Sequence, residues 1–235
     1  MPDLHTHIAH NLTQVRARID KSARLAGRSP DEVRLLAVSK TFSLEHVRAA
    51  AAAGQQDFGE NRVQEALQKI DGSADLKIRW HLIGTLQSNK VRKAAPRFSV
   101  IHSVDSLRLL EAIDAVATEA GTAPDLLVQV DLAGEATKHG APPAIATEIV
   151  RAAPPCRAAQ VIGLMMIPPF FENPDYARPY FAELRDLRAR LLKEGLDPAL
   201  LRELSMGMSH DFDIAVLEGA TMVRLGTAIF GKRHV

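Results

Sequence analysis

The sequence predicts an α/β fold, one closed (β/α)8 TIM barrel filling residues 1–235 as a single domain. Three observations predict it. Short apolar runs alternate with helix-period segments along the chain, those runs number eight, and no glycine-rich dinucleotide loop follows the first of them. An open doubly wound sheet usually has fewer strands and would place such a loop there.

The elements follow in order. Residues 4–26 carry Leu4, Ile8, Leu12, Val15, Ile19 and Leu25 at helical spacing and stop before Gly27, which predicts a leading N-terminal helix. Apolar runs at 33–39, 57–59, 79–83, 99–104, 126–132, 161–167, 203–206 and 222–225 read as strands. Helix-period segments at 43–53, 62–70, 106–120, 142–152, 175–193 and 211–218 lie between them. Ser43, with Glu45 nearby, and Ser106 after Asp105 are suited to cap helix N-termini, and Asp175 follows Pro174 at another start.

Composition narrows the function classes. The chain is 46% apolar and 24% charged, ordinary for a globular protein with a sizeable core. Lys plus Arg total 29 against 28 for Asp plus Glu, so no global field draws it to nucleic acid or an anionic membrane. Cys156 is the only cysteine, which excludes an internal disulfide and a cysteine-based zinc cluster. His5, His7 and His10 lie close together, but nothing in the sequence supplies acids to complete a metal site, and none is expected. The N-terminal stretch MPDLHTHIAHNL lacks the basic patch and apolar core of a secretory signal, and VIGLMMIPPFF is too short and too proline-broken to span a bilayer. A cytoplasmic protein is expected.

In such barrels the chemistry gathers where the strands end at their C-termini. Those ends read Ser39-Lys40, Gly59-Glu60-Asn61, Gly84-Thr85-Leu86-Gln87, His102-Ser103, Gly134-Glu135, Pro168-Pro169, Gly207-Met208-Ser209 and Gly226-Thr227. They are rich in glycine, hydroxyls and amides, and one of them carries a lysine at the strand end. Lys40 closing LLAVSK can be a solubilising strand end or an amine placed for chemistry. After the last two strands, Ser209, Gly226, Thr227 and Gly231 can form a cup of backbone N–H groups and hydroxyls for a phosphate; the same residues also serve as ordinary turn formers. Arg224, between Val223 and Leu225, must face the barrel mouth and an acceptor, or pair with an acid such as Glu60 or Asp211. A Schiff-base lysine, a phosphate cup and an arginine between them describe a pocket for pyridoxal 5′-phosphate (PLP), with the guanidinium facing the pyridine nitrogen.

The stretches VSKTFS, FGENRVQEAL, WHLIGTLQSNK, IHSVDS, LMMIPP and LSMGMSHDFDIAVLEGATMVRLGTAIFG, in this order, resemble the pyridoxal-phosphate homeostasis protein family over nearly the whole chain. The resemblance implies a fold-type III PLP-binding barrel, related to the N-terminal domain of alanine racemase and lacking its C-terminal β domain. It implies Lys40 as the Schiff-base lysine, Arg224 at the pyridine nitrogen, and Ser209, Gly226 and Thr227 at the phosphate, with Asn61, His81 and Met165 lining the pocket. Two departures touch only the rim: Arg62 stands where an aromatic is common, and EATKHG has threonine where serine is frequent.

Racemases of this fold use a tyrosine supplied across a dimer interface as a second base. This chain has two tyrosines, Tyr176 and Tyr180, and Tyr180 lies among Phe181, Leu184 and Leu187 as a packing residue. The expectation is therefore a monomeric PLP-binding protein with no catalytic residues, acting in PLP homeostasis by buffering the cofactor or delivering it to PLP-dependent apo-enzymes. Lys90 and Lys138 are surface lysines that could assist release or hold a second cofactor. The alternatives are a cryptic PLP-dependent racemase or lyase, and an aldolase-type barrel in which Lys40 captures a sugar phosphate. The last gives no role to Arg224.

Overall fold

A computed structural model describes residues 3–134 and 139–232. Its elements, in chain order, are α1 (Leu4–Leu25), β1 (Arg34–Val38), α2 (Leu44–Ala52), β2 (Asp57–Glu60), α3 (Val63–Gly72), β3 (Arg79–Leu82), α4 (Val91–Ala94), β4 (Val100–Val104), α5 (Leu107–Ala120), β5 (Asp125–Gln129), α6 (Pro143–Ala152), β6 (Gln160–Met165), α7 (Arg178–Lys193), β7 (Glu203–Met208), α8 (Phe212–Leu217), β8 (Met222–Leu225) and α9 (Thr227–Phe230). The strands pair in parallel in sequence order, and β8 returns to β1 with Leu36 opposite Arg224 and Ala37 opposite Leu225. The predicted closed (β/α)8 barrel is the observed fold.

Alternation along the strands sorts side chains to two sides. Leu126 and Val128 of β5 pack outward into the main core, whereas Leu127 turns into the lumen against Val100, Ile162 and Met165. The leading helix α1 buries Ile8, Leu12, Val15 and Ile19 against α2, α8 and α9. Its entry is fixed by Asp3, which accepts from the Thr6 N–H at 2.7 Å, and its register by Asn11, which donates to the Ile229 carbonyl at 2.9 Å. Ser106 caps α5 as expected, accepting from the Leu109 N–H at 3.3 Å.

Some elements depart from the prediction for local reasons. The fifth strand stops at Gln129 rather than 132, because Asp131 turns the chain by accepting from Ala133 and Gly134 N–H, each at 3.0 Å. Helix α7 starts at Arg178, since Pro174–Ala177 winds as a 3₁₀ turn first. The four-residue α4 was not predicted, because so few helix-period residues fit between the third strand and Pro96. Glu135 and Lys138 lie outside the described residues. No helix among the described residues is long and apolar enough to cross a membrane.

Candidate functional site

Barrel closure brings the two ends of the sequence together. Lys40 follows β1 by two residues and is half-buried. Gly226 follows β8 directly, and a Cβ built on it would lie 3.2 Å from the Val38 carbonyl oxygen, a tight contact that places the β1 and β8 ends against each other. Ser209 reaches in from the end of β7, its Oγ accepting from Gly226 N–H at 3.2 Å and from Ala228 N–H at 3.4 Å. Thr227 opens α9 and is exposed. The Ser209 hydroxyl, the Gly226 and Ala228 N–H groups that donate to it, and Thr227 gather at the β7–β8 edge of the mouth. Below it, Asp211 accepts from Met208 N–H at 2.6 Å; burial pushes its carboxyl upward, against the pull of that bond and of Arg224.

Arg224 is buried, and neither Glu60 nor Asp211 forms an ion pair with it. Its Nη1 donates to Ser205 Oγ at 2.8 Å and its Nη2 to the Met166 carbonyl at 2.9 Å. Burial among such neutral acceptors pulls the guanidinium down to about 10, with Asp211 opposing. Glu60, one of the two acids offered as an alternative partner, faces away from the lumen, where it accepts from Lys69 and Ser39.

From Ser205 a chain of hydrogen bonds crosses the lumen. Ser205 Oγ lies 3.1 Å from His102 Nδ1, His102 Nε2 lies 2.9 Å from His81 Nδ1, and His81 Nε2 lies 2.9 Å from Asp57 Oδ1. Arg79 completes it by donating to Asp57 Oδ2 at 2.8 Å. The Asp57 end fixes the direction of every proton. Arg224 can only donate, so Ser205 Oγ accepts from it and keeps its own proton for His102 Nδ1, which the tautomers set from the Asp57 end leave as an acceptor. His102 then donates from Nε2 to His81, and His81 from Nε2 to a carboxylate that can only accept. Burial pushes both imidazoles down, His102 well below its ordinary value with the charges of His81 and Arg224 reinforcing, and His81 with Asp57 opposing. Burial pushes Asp57 up, but the bonds from His81 and Arg79 outweigh it and hold the carboxyl low. The chain therefore carries neutral histidines between a fixed cation and a fixed anion.

The expected site residues fall into two groups. Lys40, Ser209, Arg224, Gly226 and Thr227 come together at the β1, β7 and β8 ends. Asn61 stands on another side of the mouth and, with Gly84, Thr85, Gln129, Asp131 and Ile167, lines a cavity of about 430 Å³. Gly84 packs on Asn61 so closely that a Cβ there would lie 2.2 Å from the Asn61 carbonyl oxygen. His81 and Met165 are fully buried in the lumen, His81 with both ring nitrogens engaged and Met165 against Val100, Leu127 and Ile162. Tyr176 is exposed, and Tyr180 stacks on Phe171 with ring centroids 5.9 Å apart. Asp57 and Ser205 were not anticipated, and His102 appeared only as a strand-end residue. Their signal was present in the sequence: each is a polar side chain inside an apolar strand run, which has no place unless it meets a partner.

Comparison with known proteins fits this geometry. Residues 6–234 match the family model described as alanine racemase, N-terminal domain. The pyridoxal phosphate homeostasis protein of Pseudomonas aeruginosa is 44% identical, over 96% of this chain and 96% of its own. The protein of the same name from Aquifex aeolicus is 43% identical over 94% of this chain and 96% of its own. Among solved structures, PipY of Synechococcus elongatus with PLP bound superposes with a TM-score of 0.84 at 41% identity, covering 95% of this chain and all of that one.

Proposed function

This chain belongs to the alanine racemase N-terminal domain family and, within it, to the pyridoxal phosphate homeostasis proteins, and on that premise we propose that it binds PLP and holds it covalently through Lys40. The observation that carries the reading is the juxtaposition of a half-buried lysine, a hydroxyl and N–H cup, and a buried guanidinium at the adjoining ends of β1, β7 and β8. The donor set fits the group. Ser209 Oγ with the Gly226 and Ala228 N–H groups suits a phosphate dianion. Lys40 suits an aldehyde, and Arg224 suits a ring nitrogen that is to stay unprotonated. When bound, PLP would supply an electrophilic aldehyde and a conjugated ring. The residues of this chain orient it, neutralise its phosphate and keep the ring nitrogen facing a cation, which makes it a poor electron sink.

The same features support a carrier in PLP homeostasis, buffering the cofactor or delivering it to apo-enzymes, rather than an enzyme. The relatives are named for homeostasis. Of the two tyrosines that could act as a second base, one stacks on Phe171 and the other is exposed. The test is the visible spectrum of the purified protein, loaded if necessary with PLP. A band that borohydride removes, with one modified lysine at Lys40 by mass and no band in Lys40→Ala, is the expected result. Absence of any band after incubation with PLP sinks the proposal, and α-proton exchange of amino acids in deuterated water sinks its carrier half.

A further inference from the structure

The peptide groups on either side of Lys40 are both held from α3, outside the lumen. Lys69 Nζ donates to the Ser39 carbonyl at 2.8 Å, to Glu60 Oε1 at 2.6 Å and to Glu65 Oε1 at 3.3 Å. An ammonium has three protons, and these are three acceptors. Ser39 Oγ also donates to Glu60 Oε1 at 2.7 Å. On the far side of Lys40, the Thr41 N–H donates to Glu65 Oε1 at 2.8 Å. One ammonium and two carboxylates thus fix the carbonyl entering Lys40 and the amide leaving it.

The backbone at this point is strained. Thr41 has φ of 70°, the only non-glycine with positive φ among the described residues. A β-branched residue there is costly and persists only where its surroundings over-determine it. The Glu65 carboxylate holds it together with the Phe42 N–H, which donates to the Ser39 carbonyl at 3.1 Å. Lys69 itself is nearly buried beside a fully buried Glu60, a placement that packed apolar side chains would fill at lower cost. Burial pushes the Glu60 carboxyl upward, with Lys69 and Ser39 opposing. A buried charge cluster spent on a strained turn, one residue from the lysine at a strand end, calls for a reason beyond packing.

We infer that Glu60, Glu65 and Lys69 are positioning residues for Lys40: by clamping both flanking peptide planes they set the direction of its Cα–Cβ bond, and so the approach of its amine to an aldehyde. This rests on the reading of Lys40 as the covalent lysine. The step served is a condensation. The unprotonated Lys40 nitrogen adds to the aldehyde carbon, a C=N bond forms, and the aldehyde oxygen leaves as water with the two amine protons. No oxidant or further reactant is needed.

The test compares full-length, cofactor-stripped Glu65→Ala, Glu65→Gln and Lys40→Ala with the parent. Three measurements are made: the rate at which added PLP develops the visible band, thermal melting, and hydrogen exchange of the Thr41 amide in the unloaded protein. Glutamine keeps an oxygen for the Thr41 N–H and alanine does not. Glu65→Ala is expected to slow band formation about tenfold or more and to speed Thr41 exchange, while Glu65→Gln stays within about threefold of the parent. Should Glu65→Ala fail to fold, Thr41→Gly/Glu65→Ala replaces it, because glycine relieves the strain without restoring the clamp. A parental rate in whichever alanine variant folds overturns the inference, as does a glutamine variant as slow as alanine. A borohydride-fixable adduct persisting in Lys40→Ala is a different failure: it removes the covalent-lysine reading itself.

Discussion

Among the described residues two side-chain cations are buried, Lys69 and Arg224, and they are buried in opposite ways. Lys69 lies outside the barrel on α3 and reaches toward the strand ends, into a cluster of two carboxylates and a carbonyl. Arg224 faces the lumen and meets only a hydroxyl and a carbonyl, and burial there draws it down to about 10. The first is matched by opposite charge, with Glu60 Oε2 left buried and without a hydrogen-bond partner. The second is a charge whose described hydrogen bonds go to neutral groups, at the edge of a cup suited to an anion. The comparison teaches where to look for a ligand in a fold of this kind: a buried charge matched by opposite charges serves the scaffold, and a buried charge matched only by dipoles has capacity left for something else.

The sharpest way to break the comparison is to remove each cation in turn. Lys69→Met leaves Glu60 buried beside Glu65 without their common partner, and removing one member of a buried ion pair costs about 3–5 kcal/mol. Arg224→Met strands no charge. Ser205 can still donate to His102, and only the Met166 carbonyl loses a partner, so the expected cost is about 1–2 kcal/mol. Urea unfolding of both variants in the cofactor-free protein measures the difference. Equal losses would show that Arg224 is as much a scaffold charge as Lys69.

The histidines between Arg224 and Asp57 sharpen the same contrast through pH. Both are held neutral by burial, with folded values below the unfolded value of about 6.5. For a group depressed in this direction the stability is fully present above the unfolded value and is lost as pH falls below it, because the unfolded chain takes up a proton that the folded one refuses. Each contributes a slope of up to about 1.4 kcal/mol per pH unit. Between pH 6.5 and 5, His102→Gln is therefore expected to show a shallower acid loss than the parent by up to that amount, read from unfolding midpoints across the range. An unchanged slope would mean that His102 is already protonated in the fold.

The fold was legible because its period is coarse. Eight apolar runs in alternation survive errors of two or three residues at each end, and the fifth strand ended early without disturbing the topology. The gathering of Lys40, Ser209, Gly226 and Thr227 around one side of the mouth was legible because strand ends can be indexed directly in the sequence. Arg224 was legible as an anomaly, an arginine within an apolar strand, but the sequence leaves its partner open between an acceptor at the mouth and an acid such as Glu60 or Asp211. Choosing between Glu60 and Ser205 requires knowing which side of the sheet each faces, and β7 carries a register shift against β8 between Ser205 and Met208 that the sequence does not announce. Asp57, His102 and Ser205 were harder still, since a hydrogen-bond chain needs three distances and sequence offers none. Lys69 and Glu65 carry no signal of their own in the sequence, and in the fold they hold the loop of Lys40.

The smallest expected effect tests the logic of the chain itself. Its direction comes from the Asp57 end: a carboxylate that only accepts takes the His81 Nε2–H, which leaves His81 Nδ1 to accept from His102 and His102 Nδ1 to accept from Ser205. Asp57→Asn removes the anion at that end while leaving an oxygen to accept from His81. It should cost about 1 kcal/mol, since the Arg79 guanidinium it releases is half-exposed. The tautomers should not move. Nitrogen-15 shifts of the two imidazoles at neutral pH should report unprotonated Nδ1 in parent and variant alike. An Nδ1–H on either ring of the parent would reverse the chain and leave the Arg224 contact with Ser205 without its onward donor. In that event Arg224 would no longer be held by a polarised relay, and its contrast with the Lys69 cluster would reduce to a difference in charge count.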